Sequence, residues 1–408
     1  MGMMLRLAWR NIWRHPRRTS LTLAAIVFSD ALLVWMIGLQ LGQYDVMIEY
    51  ALRGFTGNVQ VQAEGYKENP QIYRTIPDVA GLAARIRTDT GNQDIAARGM
   101  GFALVSSKTR TYGAQIIGVQ PKFEAKVSTI PGLVKQGHYL SGDHTQEAVV
   151  GSVMARNLNI KLGDELTILG SGKDGSFAAT VLPVVGIFTS GNVDMDRYFV
   201  EIPLKTFQDV FSMGSDGHVI AAAGVPAGQT PRLQAEIRRI IGGDKLVVLD
   251  WEQLIPGLKQ AIQADFSTAW IMYAVLVALV AFSVLNTFLM SVLERTREFG
   301  IMLALGLTPA RVGRLVLLES TVMAVTGFLL GALAGILITL YFHIYGFSYP
   351  GLEEIAAELN MPSVIYPLIN LTSVTLGPAI ILVATILAAL YPAARLRRLR
   401  PVEAMETV

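Results

Sequence analysis

Four long apolar runs constrain this chain more than any other feature of its sequence. Each has roughly the 20 residues that a helix needs to cross the ~30 Å hydrocarbon core of a bilayer. The runs are Leu21–Leu41, Trp270–Leu293, Leu315–Phe342 and Leu371–Tyr391. Because 52% of the residues are hydrophobic and only 16% are charged, the composition excludes an ordinary soluble domain. The sequence therefore predicts four transmembrane helices.

Arginines near the ends of the runs indicate how the chain crosses the membrane. They are Arg6, Arg10, Arg14, Arg17 and Arg18 before the first run, Arg295, Arg297, Arg311 and Arg314 between the second and third, and Arg395, Arg397, Arg398 and Arg400 after the fourth. The loop at 344–370 has no Lys or Arg, and every lysine lies between residues 67 and 259. By the positive-inside rule, both termini and the 294–314 loop are cytoplasmic, and the long segment between the first two runs is extracytoplasmic.

That long segment has an ordinary globular composition. Val59 and Val61 alternate with Gln60 and Gln62, which predicts a half-exposed strand over 57–63. Similar patterns predict helices at 77–88, 153–158 and 230–241, and strands at 95–105, 111–119, 165–169, 177–188, 218–225 and 245–249. The order indicates a βαβ-like layer with a β-rich insert at about 121–211. The expected fold class is an α+β membrane protein with four transmembrane helices plus a large extracytoplasmic α/β domain.

The expected boundaries define nine segments in chain order. They are a cytoplasmic interfacial amphipathic helix at 1–18, the first span at 19–43, the extracytoplasmic domain at 44–265, the second span at 266–293, a cytoplasmic coupling helix at 294–310, the third span at 311–343, an outward loop at 344–370, the fourth span at 371–394 and a cytoplasmic tail at 395–408. The helix of the second span continues back through 261–267 without a break. It would therefore form a rigid lever between the extracytoplasmic domain and the coupling helix.

The N-terminal helix is amphipathic. One face carries Leu5, Ala8, Trp9, Ile12 and Trp13, and the opposite face carries the arginines. Tryptophans beside arginines are typical of a helix in the headgroup layer, so we interpret it as an uncleaved anchor rather than a ligand site. Pro16 ends it before the first span.

The segment at 294–310 lies between two predicted spans and contains both charged residues and glycines. Thr308 and Pro309 are a helix-start signal, since Thr is a good N-cap and Pro fits the first helical position. A short helix here would be a contact point for a protein outside the membrane. The candidate contact residues are Glu294, Arg295, Arg297, Glu298, Phe299, Gly300, Ile301, Leu305 and Gly306. Membrane topology alone would explain the arginines but not the interleaved acids.

Two polar residues lie within predicted spans. Asp30 either has a coupling role or is a hydrogen-bonded carboxylic acid at a helix interface. Asn286 is a candidate for a helix–helix contact. Gly327, Gly331 and Gly335 share one helix face and favour close packing.

No catalytic motif is evident. The GSGKD sequence at 170–174 resembles a P-loop, but Thr167 and Asp174 occupy positions that need Gly and Ser or Thr, so a hairpin turn explains it. His138, Asp143 and His144 suit a solvated loop better than a metal site. The balanced charges of the large domain disfavour nucleic-acid binding. We therefore expect no enzyme, no catalytic residue and no metal on this chain, and zero cysteines exclude thiolate sites.

Several stretches resemble the FtsX-like permease family of ABC transporters, which includes lipoprotein-releasing permeases and macrolide exporters. They are 7–14 (LAWRNIWR), 294–301 (ERTREFGI) with 304–306 (ALG), and 391–395 (YPAAR) with 401–404 (PVEA). The four-span layout matches across essentially the whole chain. The absence of a fused ATPase domain and the stretch at 57–66 (GNVQVQAEGY) are closer to the lipoprotein-releasing permeases.

The resemblance implies a bacterial inner-membrane location with the large domain in the periplasm. Two permeases would pair, as a homo- or heterodimer, and two copies of a cytoplasmic ATPase subunit would dock at 294–310. ATP and Mg would bind the ATPase, and no cofactor would bind this chain. The outer part would comprise a porter-like subdomain, at about 57–120 and 212–250, and a sabre-like insert. Further expected partners are membrane lipids and a periplasmic carrier or adaptor, with no nucleic acid.

The function expected from this resemblance is the extraction of lipoproteins or other amphiphiles from the inner membrane, driven by ATP hydrolysis on the partner. The alternatives are a tripartite efflux permease and a signalling subunit that activates a periplasmic hydrolase. A free-standing structural membrane protein is disfavoured, because an inert loop would not need the charged helix.

Overall fold

The computed structural model describes residues 2–14, 16–243, 245–359 and 361–396. The described chain forms two compact units. The first, here called the membrane unit, comprises Met1–Tyr44, Ile262–Ser348 and Val364–Val408, and the second, here called the sheet domain, comprises Asp45–Ala261 and Tyr349–Ser363. The conclusions drawn from 397–408, including the PVEA sequence, lie outside the described residues.

The helices of the described residues are α1 (Gly2–Ile12), α2 (Pro16–Ala51), α3 (Val79–Thr90), α4 (Pro121–Val127), α5 (Ser152–Leu158), α6 (Val193–Tyr198), α7 (Leu204–Val210), α8 (Thr230–Ile241), α9 (Trp251–Leu254), α10 (Pro256–Glu294), α11 (Thr296–Ala304), α12 (Pro309–Tyr345), α13 (Leu352–Leu359) and α14 (Leu371–Leu396). The last turn of α2 widens into a π-helical segment at Leu52–Thr56, and short 3₁₀ segments occupy Ile130–Leu133 and Ala227–Gln229.

The strands are β1 (Val59–Ala63), β2 (Ile95–Ser106), β3 (Thr111–Val119), β4 (Val134–Gly137), β5 (Ala148–Gly151), β6 (Glu165–Ser171), β7 (Phe177–Phe188), β8 (Phe199–Pro203), β9 (Val219–Ala222) and β10 (Leu246–Asp250). They form one sheet in the order β10-β1-β9-β2-β3-β8-β5-β7-β4, and β6 pairs with both β2 and β7. Most pairs are antiparallel, and β3–β8 and β5–β7 are parallel.

Four helices in the described part of the chain are long and apolar enough to cross a membrane: Pro16–Thr56, Pro256–Glu294, Pro309–Tyr345 and Leu371–Ala394. The four predicted spans are confirmed by this helix content. The structure also bears out the expectation that the second span continues without a break, since α10 is one helix from Pro256 to Glu294.

Within the membrane unit, the glycines of α12 let it approach α2 closely. A Cβ placed on Gly327 would come within 2.5 Å of the Ile26 side chain, and one on Gly335 within 2.6 Å of the Val34 Cβ. One on Gly331 would touch the Asp30 side chain. The expected packing role of this glycine face is therefore confirmed, because no larger residue fits without displacing α2.

The sheet domain contains two main hydrophobic cores. One lies under β1, β9 and the helices α3 and α8, and the other lies among β2, β6, β7 and the aromatic residues of α7 and its C-terminal end. The strands of the expected insert at 121–211 join the same sheet through β3–β8 and β2–β6 pairs, so the insert extends the layer and shares its core with β2 and β3.

The expected half-exposed strand at 57–63 is wrong in one respect. β1 lies inside the sheet between β10 and β9, and its glutamines are buried, with Gln60 7% and Gln62 5% exposed. Alternation of valine and glutamine indicates two different faces, but it cannot show whether the polar face meets solvent or other protein. Here the glutamines bind each other and the backbone.

The sheet domain also buries an ionic cluster. Arg98 and Glu124 form a fully buried pair at 2.5 Å, and the Arg98 Nη1 donates a 2.6 Å hydrogen bond to the Phe55 carbonyl in the π-helical segment. Tyr139 donates a 2.7 Å hydrogen bond to Glu201, which is 0% exposed. One guanidinium, two carboxylates and a phenol thus lie close enough to interact electrostatically.

Candidate functional site

The segment between the second and third spans forms a short helix followed by a turn, shorter than the helix expected over 294–310. α10 ends at Glu294, α11 follows at once, and α12 restarts with Thr308 at the N-cap and Pro309 at the first position. Gly306 has a φ of +94° in the turn between them, a conformation that favours glycine. The Thr308 side chain makes no capping hydrogen bond, so Pro309 and the backbone define this helix start.

A small core holds α11 against its neighbours. Phe299 is 1% exposed and packs with Val292 of α10 and with Val312 and Val316 of α12. The Arg295 guanidinium lies 5.2 Å from the centre of the Phe299 ring. Because residues four apart share a helix face, Arg295 and Phe299 both point inward.

An acid of the third span, Glu319, is the centre of a buried network. Its Oε2 accepts a 2.9 Å hydrogen bond from Arg295 Nη1, and its Oε1 accepts a 2.7 Å hydrogen bond from Asn11 Nδ2 of α1. Arg295 Nε also donates to Glu298 at 3.2 Å. One network thus joins α1, α11 and α12.

Two further arginines extend the network, Arg14 in the turn between α1 and α2 and Arg18 in the first turn of α2. Arg14 pairs with Glu298 at 3.2 Å, and Arg18 pairs with Glu294 at 2.7 Å while also donating to the Thr287 carbonyl. The first span, the second span and α11 are therefore connected at this end of the membrane unit. Arg14, Arg18 and Arg295, which the sequence assigned to topology, thus also have structural partners.

The structure corrects the expectation for three of the candidate contact residues. Arg295, Phe299 and Gly300 are buried inside the chain, so they position α11 and do not form its outer surface. Glu294 and Glu298 remain about half exposed, but each already has an arginine partner. Sequence periodicity places these residues on a helix and leaves open which face its own chain covers.

Four of the candidates form the remaining exposed surface, here called the exposed coupling patch: Arg297, Ile301, Leu305 and Gly306. Ile301 is 48% and Leu305 is 78% exposed. Arg297, Ile301 and Leu305 are spaced four apart, so they align on one side of α11 and its C-cap. Two solvent-exposed aliphatic side chains beside an arginine are typical of a protein contact surface.

The sequence reasoning missed Glu319, Asn11 and Arg18. A signal was present, since an acid inside an apolar span is costly without a partner and Arg295 stands just before that span. Only the fold shows that Arg295 and Glu319, separated by 24 positions, form a hydrogen bond.

The other intramembrane candidates lie apart from this network. Asp30 is fully buried against Gly331, as expected of a helix interface. However, neither carboxylate oxygen has a hydrogen-bond partner among the described residues, so the expected hydrogen bond is not present there. Asn286 is exposed on α10, and within the described chain it does not serve the expected helix–helix contact.

The N-terminal helix matches its expected amphipathic character only in part. Ala8 and Ile12 are buried, and α1 packs against α12. Trp9 and Trp13 are each 50% exposed and stack edge to face with ring centres 6.2 Å apart. The tryptophans thus lie between the packed face and the arginine face, where headgroups would meet them.

Comparison with family models covers nearly the whole chain. Residues 19–240 match the MacB-like periplasmic core domain, and residues 270–401 match the FtsX-like permease C-terminal domain. The match to the periplasmic core domain includes more than half of the chain. Together the two matches include residues of both units of the structure.

Individual relatives match most of this chain at low identity. The chain is 24% identical to the lipoprotein-releasing system transmembrane protein LolC of Xylella fastidiosa, over 81% of this chain and 78% of that protein. It is 21% identical to LolC of Neisseria meningitidis serogroup B, over 95% and 93%. It is also 25% identical to the macrolide export ATP-binding/permease protein MacB of Bdellovibrio bacteriovorus, over 95% of this chain but 59% of that protein.

The family matches, four apolar helices and the large α/β domain agree with one another. The chain belongs to the FtsX-like permeases with a MacB-like periplasmic core domain, and it is an ABC transporter permease of the LolC and MacB type.

Proposed function

We propose that this chain couples ATP hydrolysis by a separate ATPase subunit to movements of its periplasmic domain, and that it extracts lipoproteins or other amphiphiles from the inner membrane. The observation that carries the proposal is the continuity of α10 from Pro256 to Glu294, where the helix ends beside Arg295 and its buried pair with Glu319. Motion imposed at α11 would reach both long helices through rigid contacts.

The length of α10 supports a lever role. Its 39 residues extend about 58 Å at 1.5 Å per residue, roughly twice the thickness of the hydrocarbon core. At its last residue, the Glu294 carboxylate binds Arg18 of α2 at 2.7 Å. The first and second spans are therefore tied at one end and would move together.

The exposed coupling patch is the surface proposed for the ATPase subunit. Arg297 would pair with an acidic group and set the register, and Ile301 and Leu305 would fill an apolar groove. Their exposure and shared helix face support this assignment. ATP and Mg would remain on the partner, and both termini and α11 would face the cytoplasm.

One face of α10 is proposed as the contact with a second permease. Val275, Leu279, Phe282 and Met290 are more than half exposed, and Asn286 lies on the same helix between the last two. A polar amide in this position would be satisfied by a partner helix better than by lipid tails. A paired permease would also bring two ATPase subunits together.

The substrate is assigned from the relatives, and efflux is the second candidate. The LolC relatives are matched over most of their length, whereas the MacB relative is matched over 59% of its length. The shared layout favours lipoprotein release, with a periplasmic carrier as the acceptor. An efflux role would require a membrane-fusion protein and an outer-membrane channel.

The experiment is purification of the tagged chain from native membranes in mild detergent, with mass spectrometry of the proteins that accompany it. We expect an ABC ATPase subunit together with lipoproteins or a periplasmic carrier. Arg297→Glu and Leu305→Asp should each remove the ATPase. The matched control is Arg232→Glu, an exposed arginine of the sheet domain, which should leave the complex intact.

The alternatives give different results. A membrane-fusion protein with an outer-membrane channel would establish efflux, and a cell-wall hydrolase whose activity depends on ATP would establish signalling. Absence of any ATPase, or its retention in both patch variants, would contradict the coupling proposal.

A further inference from the structure

The first membrane-spanning helix buries an acid near the middle of its apolar run. Asp30 is the tenth of the 21 residues of Leu21–Leu41, and it is 0% exposed. Neither of its carboxylate oxygens has a hydrogen-bond partner in the described part of the chain. An ionised carboxylate accepts hydrogen bonds and donates none, so an unpartnered one at this depth in a bilayer is very costly.

The glycine face of α12 closes over this acid. A Cβ placed on Gly331 would come within 2.4 Å of the Asp30 Cβ, 3.1 Å of Asp30 Oδ2 and 3.1 Å of the Val27 carbonyl oxygen. Gly327 and Gly335 contact α2 equally closely, one helix turn to either side. While α2 and α12 are packed, neither water nor a cation reaches the carboxyl group.

The helices packed around α2 bring no ionisable partner to Asp30 in the described structure. α10, α12 and α14 share one core with α2. On α12 the nearest titratable residues are 12 and 10 positions from Gly331, about 18 and 15 Å along the helix. On α10 they contact Gln40 and Arg18, at least ten positions from Asp30 along α2. The nearest titratable residues of these three helices are Glu319 and Tyr341 of α12, Tyr273 and Glu294 of α10, and Tyr391 of α14.

We propose that Asp30 is a proton-binding site that opens and closes with the contact between α2 and α12. In the packed state the acid is neutral, and its O–H donates to the Val27 carbonyl oxygen on its own helix. When α12 moves away from α2, the acid meets water, passes its proton to it and becomes a carboxylate. Because each separation releases one proton, raising the pH by one unit favours the separated state by up to about tenfold. The inference goes beyond the proposed function, since it needs neither an ATPase nor a particular substrate.

The first measurement is infrared spectroscopy of the full chain in lipid nanodiscs. At pH 7 the exposed carboxyl groups are ionised, whereas a neutral Asp30 contributes the carbonyl stretch of a carboxylic acid. We expect this band in the parent and its loss in Asp30→Asn, whose amide has nearly the same shape. Buried Glu201 of the sheet domain contributes a second acid band, which Glu201→Gln identifies.

The second measurement follows separation of the two helices and uses the absence of cysteine from the sequence. Ile26→Cys places a thiol at a 1% exposed position against Gly327, and Leu21→Cys places one at a 73% exposed position of the same helix. We expect the rate of labelling of Ile26→Cys by N-ethylmaleimide, divided by that of Leu21→Cys, to rise at least tenfold between pH 6 and pH 8. Adding Asp30→Asn should make this ratio independent of pH, because the amide has no proton to release.

A matched pair of variants on α12 tests whether separation exposes the site. Gly335→Leu forces α12 away from Val34 of α2 and should raise the labelling ratio at pH 6. Leu333→Phe adds volume at a 55% exposed position of the same helix and should leave the ratio unchanged.

The absence of an acid band that Asp30→Asn removes would overturn the inference, because Asp30 would then be ionised in the packed state. No labelling of Ile26→Cys at any pH, or the same pH dependence with and without Asp30→Asn, would overturn the release step. Neither measurement involves an ATPase subunit. Failure of the coupling proposal would therefore leave these results unchanged, and their failure would leave the coupling proposal intact.

Discussion

Arg295 and Glu319 form a hydrogen-bonded ion pair of 2.9 Å that joins the start of α11 to the third membrane-spanning helix. Their side chains are only 9% and 10% exposed. Asn11 of α1 occupies the second carboxylate oxygen of Glu319. The orientation of the exposed coupling patch therefore depends on an ion pair that is buried within the chain itself.

Breaking this pair from one side should be strongly destabilising. Glu319→Ala removes the buried carboxylate partner of Arg295 and leaves Arg295 only the half-exposed Glu298, which should cost up to about 3–5 kcal/mol. We expect a large drop in the thermal unfolding temperature of the detergent-solubilised chain. Glu298→Ala is the control, since that half-exposed acid should cost at most about 1 kcal/mol.

The double variant Arg295→Met with Glu319→Leu gives the sharper comparison. Replacing both charges by apolar side chains removes the desolvation penalty together with the attraction, so most of the lost stability should return. A double variant as unstable as Glu319→Ala would show that the pair contributes more than charge compensation.

Variants at Phe299 and Leu305 should distinguish packing within the chain from binding of the ATPase subunit. Phe299→Ala creates a cavity between α10, α11 and α12 and should cost about 3–5 kcal/mol in unfolding free energy. Leu305→Ala, at a 78% exposed position, should leave stability unchanged and weaken ATPase binding. Thermal unfolding and the co-purified ATPase amount are measured for both. Equal instability of the two variants would contradict the assignment of inner and outer faces.

Gly335 should tolerate no side chain. A Cβ there would lie 2.6 Å from the Val34 Cβ, so Gly335→Leu must push α12 away from α2, at a cost of about 1–3 kcal/mol or more. Leu333→Ala on the same helix is the control, because Leu333 is 55% exposed. The measurement is again thermal unfolding in detergent, and a Gly335→Leu protein as stable as the control would disprove close packing.

The sheet domain should lose stability as pH rises, because of Glu201. Burial and the neighbouring Glu124 carboxylate raise the pKa of Glu201 to about 8, against the lowering effects of the Tyr139 hydrogen bond and Arg98. The folded state then holds a proton that the unfolded state releases above its ordinary pKa near 4.5. Stability from this group is greatest at low pH and decreases up to about pH 8, by at most about 1.4 kcal/mol per pH unit.

Glu201→Gln should remove this slope. The amide is neutral at every pH and keeps an oxygen to accept the Tyr139 hydrogen bond. We expect the variant to be more stable than the parent at pH 8 and nearly equal to it at pH 5. The unfolding temperature is measured across this range, with exposed Glu165→Gln as the control. A parallel pH dependence in Glu201→Gln and the parent would rule out Glu201 as the source.

Much of the fold follows from local patterns. β3, β7 and α8 begin and end where the alternation and helical periodicity predict. The four spans and the unbroken α10 follow from apolar length, and the GSGKD sequence covers the end of β6 and the start of the hairpin turn to β7. These features depend on residues that are neighbours in the chain, so they can be predicted from the sequence alone.

Only part of the candidate site could be predicted from local sequence patterns. The position of α11 between two spans and the start of α12 at Pro309 could be predicted from the sequence. The inward orientation of Arg295 and Phe299 could not, because Glu319, Val312 and Val316 on the following helix decide it.

The sequence by itself determined the membrane-spanning helices, the place of the sheet domain in the chain and the charged segment between spans. Tertiary structure alone decided which side of that segment is exposed, that Gln60 and Gln62 are buried, and that Asp30 meets a glycine. The physical reason is that apolar length and periodicity are sums over local residues. Burial of a given face is set by side chains far away in the chain, which only the fold brings into contact.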